Sequence, residues 1–363
     1  MARRHAEIAG AGITGLTLAA ALGQAGWSVR VHESAAELRS TGGGLYLRTD
    51  GQQAARRLGL SDQIADVAFT PDGFEVRIDG AHHALHPRND ATRTMLRNEL
   101  HAILLRAAKR AGAEIVIASK AVALVDDGQL VLADGSRLEA DLAIAADGVG
   151  SRLPETVGIA GQRQRYDDGL IRVLLNRAIL AGSQWERTID FWRYGDVALR
   201  VLYTPCSPTH CYLCLMSAID DARASAVPID VAYWSENFPE LQPLLAIPGA
   251  SARHDRYGKI WLPRWSKGRA VIIGDAAHGM PSSLGRGASV GMLNAVELVD
   301  RLSSGATIET ALHGWELAQR PVVEEVQAEA ERVALARALS AGNRIDLAER
   351  DGDVHALQAT PSA

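Results

Sequence analysis

The run Gly10-Ala11-Gly12-Ile13-Thr14-Gly15 follows a strand predicted over 6–10 and opens a helix predicted over 14–26, and the next predicted strand, 28–33, ends on Glu33. No other stretch limits the fold as tightly. Gly10 permits the tight turn, Gly12 lets the backbone approach a pyrophosphate, and Gly15 lets helix and strand pack closely. The helix start, with Ile13 and Thr14 in its first turn, offers free N–H groups and partial positive charge to phosphates. An acid about 20 residues on, here Glu33, can bind the adenosine ribose hydroxyls. A glycine turn without nucleotide is the alternative. The motif alone does not separate FAD from NAD. A βαβ opening implies a parallel sheet and an α/β fold.

With 363 residues, 47% of them hydrophobic, the chain can bury a large core and form two lobes. A net charge of -5 without a basic stripe argues against nucleic acid. Arg3-Arg4 and the apolar run 8–22 imitate a signal peptide, but Gly10, Gly12 and Gly15 interrupt it and no small-x-small cleavage site follows. The run also falls short of the about 20 apolar residues of a membrane span. A cytoplasmic protein that uses no membrane is expected. Cys206, Cys211 and Cys214 lack the fourth cysteine of an iron–sulfur site, so they read as small apolar hairpin residues and no metal is expected.

A helix over 97–111, a strand over 114–118 and a hairpin-like region over 121–138 precede a buried strand over 142–146. Between 166 and 265 short strand-like runs dominate, at 170–176, 188–192, 197–203 and 211–216. The first pattern returns with a strand at 270–273, a helix from 286 or 287, and a long amphipathic helix over 315–340. The expected architecture is a two-lobe α/β (α+β) fold. A Rossmann-like nucleotide domain spans 1–75, 95–165 and 268–340. A mostly antiparallel β-sheet lobe (76–94 and 166–267) is inserted in it, and 341–363 form a loose tail. A cleft between such lobes is where a ligand usually sits.

Two further segments carry chemistry: Ala146-Asp147-Gly148 with Ser151-Arg152, and Gly274-Asp275 with His278 and Gly285-Arg286-Gly287. Each follows a short apolar strand, at the ligand edge of an α/β sheet. An isolated Asp-Gly is more simply a turn. Together and in this order, the three motifs resemble the para-hydroxybenzoate-hydroxylase type of single-component (class A) flavin monooxygenase, over nearly the whole chain. The resemblance implies that the first motif holds the ADP part of FAD. Asp147 then serves FAD together with NADH or NADPH, and Asp275 serves the ribityl chain. Arg39 and Arg97 match positions that contact FAD; solvated surface charges are the alternative. The Gly285–Gly287 loop feeds a helix whose N–H groups at Gly287 and Ala288 can stabilise negative charge on reduced flavin. The implied reaction adds O₂ to flavin, giving a C4a-hydroperoxide that hydroxylates an electron-rich ring. Pro281 and Ser282 fall near the reactive flavin carbon. The family usually has Pro where Ser282 stands, and often an acid where Asn294 stands.

Within that family the inserted lobe is similar to the bacterial oxygenases acting on 2-methyl-3-hydroxypyridine-5-carboxylate, through Asp168-Gly-Leu-Ile-Arg172, Thr188-Ile-Asp190 with Trp192, Leu202-Tyr-Thr-Pro-Cys206 and Ser225-Ala-Val-Pro-Ile-Asp230. Arg172, Arg200, Tyr46 and Tyr212 match positions that surround the substrate, as does Tyr257, while Phe74 replaces a pocket tyrosine. A hairpin turn centred near Ser207 puts Arg200 and Tyr212 on one face as diagonal neighbours roughly 7 Å apart. Rim charges and half-buried strand tyrosines are the alternative. His278 is expected to be structural. The expected function is NAD(P)H-dependent hydroxylation, with ring opening as the sharper option, of a small carboxylated or hydroxylated aromatic or pyridine ring by a monomer or homodimer. The rivals are an FAD-dependent dehydrogenase or oxidase on the same fold, and a non-catalytic flavin-fold binding protein.

Overall fold

The computed structural model describes residues 3–38, 43–89, 91–195, 198–246 and 252–340. A six-stranded sheet runs in the order Ser266–Lys267, Ala270–Ile272, Leu142–Ala145, His5–Ala9, Ser28–His32, Glu114–Val116; all neighbours are parallel except the first pair. Leu142–Ala145 is buried at every position. That is why it reads as an unbroken apolar run: a strand covered on both faces has no polar alternation. Helix Ile13–Gln24 packs against helices Arg97–Arg110 and Gly287–Leu302. The close approach depends on small residues, since a Cβ on Gly274 or Gly291 would lie 2.7 or 2.3 Å from the Thr14 hydroxyl.

A seven-stranded sheet forms the second layer, ordered Ala252–Trp261, Gln162–Asn176, His210–Ala218, Leu199–Pro205, Thr188–Arg193, Gly73–Ile78, Ala81–Pro87. Only the pair Thr188–Arg193 with Gly73–Ile78 is parallel. Alternation sorts its side chains. Ile171, Val173, Phe191, Val201, Tyr203, Leu213 and Leu215 bury one face against Trp234, Phe238, Leu241 and Leu244 from the short helices beyond it. The opposite face carries Leu170, Tyr212, Cys214 and Met216, which cluster with Tyr257 and with Ala334 of the last helix. A two-stranded ladder, Gly44–Leu47 with Arg93–Leu96, and a three-stranded meander over 121–139 complete the sheets.

Two expectations change. The hairpin after Arg200 pairs Thr204 with Tyr212, Leu202 with Cys214 and Arg200 with Met216. Its turn therefore centres on Pro208, not Ser207. Ser207 and the prolines on either side of it lengthen the loop, which closes through the Cys206 N–H to His210 O bond of 2.9 Å and the His210 N–H to Ser207 Oγ bond of 2.9 Å. Arg200 and Tyr212 keep a common face because the partner moved by two residues, but the Leu202–Cys214 pair separates them. The last helix begins at Ile308, well before 315. Thr307 starts it, its carbonyl accepting from Ala311 N–H at 2.9 Å and its hydroxyl from Thr310 N–H at 3.3 Å. Trp315, the apparent first anchor, lies inside the helix and donates its indole N–H to Asn294 O at 3.0 Å.

The three cysteines are buried free thiols. Among the described residues no His/Cys/Asp/Glu group could hold a metal, and no helix is long and apolar enough to cross a membrane.

Candidate active site

The three motifs stand at the C-terminal ends of three adjacent strands, His5–Ala9, Leu142–Ala145 and Ala270–Ile272. Gly10 has φ +102, and a Cβ there would lie 2.5 Å from Ala146 O. A Cβ on Gly15 would lie 2.0 Å from Gly10 O. Gly12 differs: its φ is -77, and a Cβ would meet nothing within 4 Å. Neither backbone conformation nor protein contact demands glycine there, whereas a pyrophosphate lying against the turn would. Glu33 is fixed at the mouth of the turn, Oε2 accepting from Ala11 N–H at 3.1 Å and Oε1 from Ala35 N–H at 2.9 Å. Arg39 lies outside the described residues.

Asp147 is exposed beside Ser151 and Gly148; desolvation raises its pKa, against the Ser151 hydroxyl bond. Asp275, also exposed, opens a short helix to His278, and Pro281 leads into the single turn Ser282–Leu284. Gly285 then adopts φ +63, where a Cβ would press on the Tyr46 ring at 2.8 Å. Helix Gly287–Leu302 follows. Its first N–H groups, at Gly287 and Ala288, have no acceptor within the helix. A Cβ on Gly287 would touch only Asp275 Oδ1, at an ordinary 3.5 Å. As at Gly12, the protein itself does not need the glycine, so the loop fits a planar group lying across it. These residues fit FAD.

Arg97, exposed at the start of its helix, lies within electrostatic range of both Asp275 and Arg172. The surrounding protein lowers its pKa by desolvation, with Asp275 opposing and the Arg172 cation adding to the effect. On the sheet, Arg172 Nε lies 3.0 Å from Asp255 Oδ2, an ion pair without a directed hydrogen bond, and Nη2 donates to Ser282 Oγ at 2.8 Å. Burial opposes the Arg172 cation, but its neighbours raise its pKa overall, and of those the Asp255 carboxylate is the one charged at neutral pH. Arg200 instead faces Asp190 through Nε and Nη2 at 2.8 and 2.9 Å, its guanidinium 4.8 Å over the Trp192 ring. Burial pushes the phenols of Tyr212 and Tyr257 upward, and that of Tyr46 to about 12, so all three are neutral hydroxyls at pH 7. The Tyr46 hydroxyl is 2.8 Å from Thr204 Oγ1 and donates to Thr188 Oγ1 at 3.5 Å, joining the two-stranded ladder to the large sheet.

The structure thus brings Arg97, Arg172, Tyr212, Asp275 and Ser282 together, and sets Arg200 apart in its own pair. Two surface hollows of about 340 and 330 Å³ are lined by none of these residues. The partners Asp190 and Asp255 escaped the sequence argument. Arginine is seldom buried without a carboxylate, which was a signal that such acids exist, but choosing among the acids required the strand register. His278 is buried against Trp265, ring centroids 5.2 Å apart, and is remote in chemistry from a general base because burial depresses its pKa to about 4.

The FAD binding domain family model matches residues 4–329. A putative 2-heptyl-3-hydroxy-4(1H)-quinolone synthase from Rhodococcus erythropolis is 37% identical over 331 residues, 89% of this chain and 86% of that protein. A 6-hydroxynicotinate 3-monooxygenase from Bordetella bronchiseptica is 29% identical over 315 residues, 80% of each chain. Among solved structures, the tetrameric form of 2-methyl-3-hydroxypyridine-5-carboxylic acid oxygenase superposes with TM-score 0.89 at 39% identity, covering 94% of both chains.

Proposed function

Since the chain belongs to the FAD binding domain family and is an FAD-dependent aromatic monooxygenase, we propose that its substrate is a nitrogen heteroaromatic ring carrying an ionised oxygen, and that Arg172 receives that oxygen. The Arg172 guanidinium carries the reading. It reaches from the sheet to the flavin loop, and its Nη1 has no hydrogen-bond partner among the described residues. The relatives at 37% and 39% identity are named for a quinolone and a hydroxypyridine. Those names, and the 6-hydroxynicotinate 3-monooxygenase, also favour oxygenation over a dehydrogenase, an oxidase or a non-catalytic binding protein.

FAD, when bound, supplies the electron storage and O₂ activation that no side chain can. The chain supplies position and electrostatics. The Gly10–Gly15 turn and its helix would hold the pyrophosphate, Glu33 the ribose hydroxyls and Asp275 the ribityl chain. The free N–H groups of Gly287 and Ala288 would stabilise negative charge on the reduced cofactor. Arg172 keeps the substrate oxygen ionised, and an ionised oxygen donates electron density to the ring positions beside it. Cys214, Met216, Leu170 and Ala334 wall the face with apolar surface and exclude water. NADH or NADPH is the reductant.

The test is oxidation of NADH and NADPH by the holoenzyme with 4-quinolones, 3-hydroxypyridines and 6-hydroxynicotinate under ¹⁸O₂. A ring that accelerates oxidation and emerges with one labelled oxygen supports the reading. Labelled product from carbocyclic phenols alone refutes the heterocycle.

A further inference from the structure

Arg172 and Arg253 are direct partners on neighbouring antiparallel strands. Like charges in that position repel. One carboxylate answers both: Asp255 Oδ2 is 3.0 Å from Arg172 Nε, 3.0 Å from Arg253 Nη2 and 3.2 Å from Arg253 Nε. Arg253 is far more exposed, its side chain at 71% against 34% for Arg172. The Asp255 contact is made through Nε and leaves the far end of the Arg172 guanidinium unheld. The contact that holds it is the 2.8 Å hydrogen bond from Nη2 to Ser282 Oγ, on the loop between Asp275 and Gly287. We propose that Ser282 is a positioning residue which aims Arg172 at the anionic group of the aromatic substrate, and so sets the preference of the cleft for anionic over neutral rings.

The proposal deepens the Arg172 reading above but does not depend on the substrate being a heterocycle. The bond to Ser282 holds Nη2, the Asp255 ion pair holds Nε, and Nη1 is left for the ligand. Pro at 282 provides no acceptor side chain for Arg172. Ala at 282 removes the hydroxyl with little change in volume, and Thr restores it.

The experiment uses purified holoenzyme and two probes, benzoate and benzamide, with binding read from perturbation of the visible flavin spectrum. The parent is expected to bind benzoate more tightly than benzamide. Ser282→Ala is expected to weaken benzoate about tenfold, the scale of one hydrogen bond to a charged group, and to leave benzamide and FAD content unchanged. Ser282→Thr should retain the benzoate preference, and Arg172→Gln should abolish it. Equal affinity of the parent for both probes, loss of both probes in Ser282→Ala, or unaltered benzoate affinity in Ser282→Ala overturns the proposal. The heterocycle reading stands or falls separately, on the labelled-oxygen experiment.

Discussion

Asp190 accepts hydrogen bonds from both Nε and Nη2 of Arg200, at 2.8 and 2.9 Å, where the two side chains are only 3% and 6% exposed. The pair is chemically complete, so the charge of Arg200 is spent within the protein, in keeping with the proposal that Arg172 receives the anionic group. Removing one member of a buried pair strands the other charge. Asp190→Ala is expected to lower unfolding free energy by about 3–5 kcal/mol, while Asp190→Leu combined with Arg200→Met costs much less. Urea unfolding of the two variants checks this. An Asp190→Ala protein as stable as the parent shows that the Arg200 charge is answered elsewhere.

Gly12 and Gly15 belong to one motif but do different work, and substitution separates them. A methyl on Gly12 meets no protein atom within 4 Å. Gly12→Ala is therefore expected to fold with unchanged secondary structure and to lose FAD affinity by at least about tenfold, because the methyl stands where the pyrophosphate must approach. A methyl on Gly15 meets Gly10 O at 2.0 Å, and Gly15→Ala is expected to fold poorly. Circular dichroism and flavin fluorescence on release distinguish the two. A Gly12→Ala protein that stays fully yellow refutes the reading of the turn.

The parts of this molecule legible in the sequence are those set by local rules. The glycine turn, the unbroken apolar strand at 142–145 and the Asp275 loop obey spacing and periodicity within a few residues. The face shared by Arg200 and Tyr212 was legible through alternation, although the register was not, because loop length depended on how Ser207 folds back on His210. Contacts between distant segments left no local trace. Arg172 meets Asp255 and Ser282, and Arg200 meets Asp190, only after sheet order and register are set.

His278 ties stability to pH. It is 1% exposed, neither ring nitrogen makes a hydrogen bond of good geometry among the described residues, and burial depresses its pKa from 6.5 to about 4 against the opposing effects of Asp275 and Asn294 nearby. The unfolded chain thus binds a proton between pH 6.5 and about 4 that the folded protein refuses. Stability falls as pH drops through that window, by about 1.4 kcal/mol per unit at most. Between pH 7.5 and 5 the parent is expected to lose about 2 kcal/mol more than His278→Leu. Denaturant titrations at the two pH values measure it, and equal losses in both proteins refute a neutral buried His278.

The end of the last helix closes the apolar face proposed to receive the ring. Arg337 donates from Nε to Asp168 Oδ2 at 2.8 Å, pairs Nη2 with the other oxygen of that carboxylate, and donates from Nη1 to Ala198 O at 2.5 Å. One and a half turns earlier Glu331 accepts from the Tyr166 hydroxyl at 2.6 Å and from Lys259 at 2.7 Å. Between these clamps Ala334 packs with Tyr212, Cys214 and Tyr257. Arg337→Met keeps bulk but leaves the Asp168 carboxylate buried without its cation, so the last turns should fray away from the sheet. Water would then reach the face proposed to hold the ring, and reducing equivalents would be diverted to hydrogen peroxide. The expected signature is a severalfold rise in peroxide formed per NADH oxidised, with easier tryptic cleavage near Arg332 and unchanged FAD content. If peroxide yield matches the parent while the helix end is cut readily, the helix is a brace for the fold and has no part in shielding the reaction.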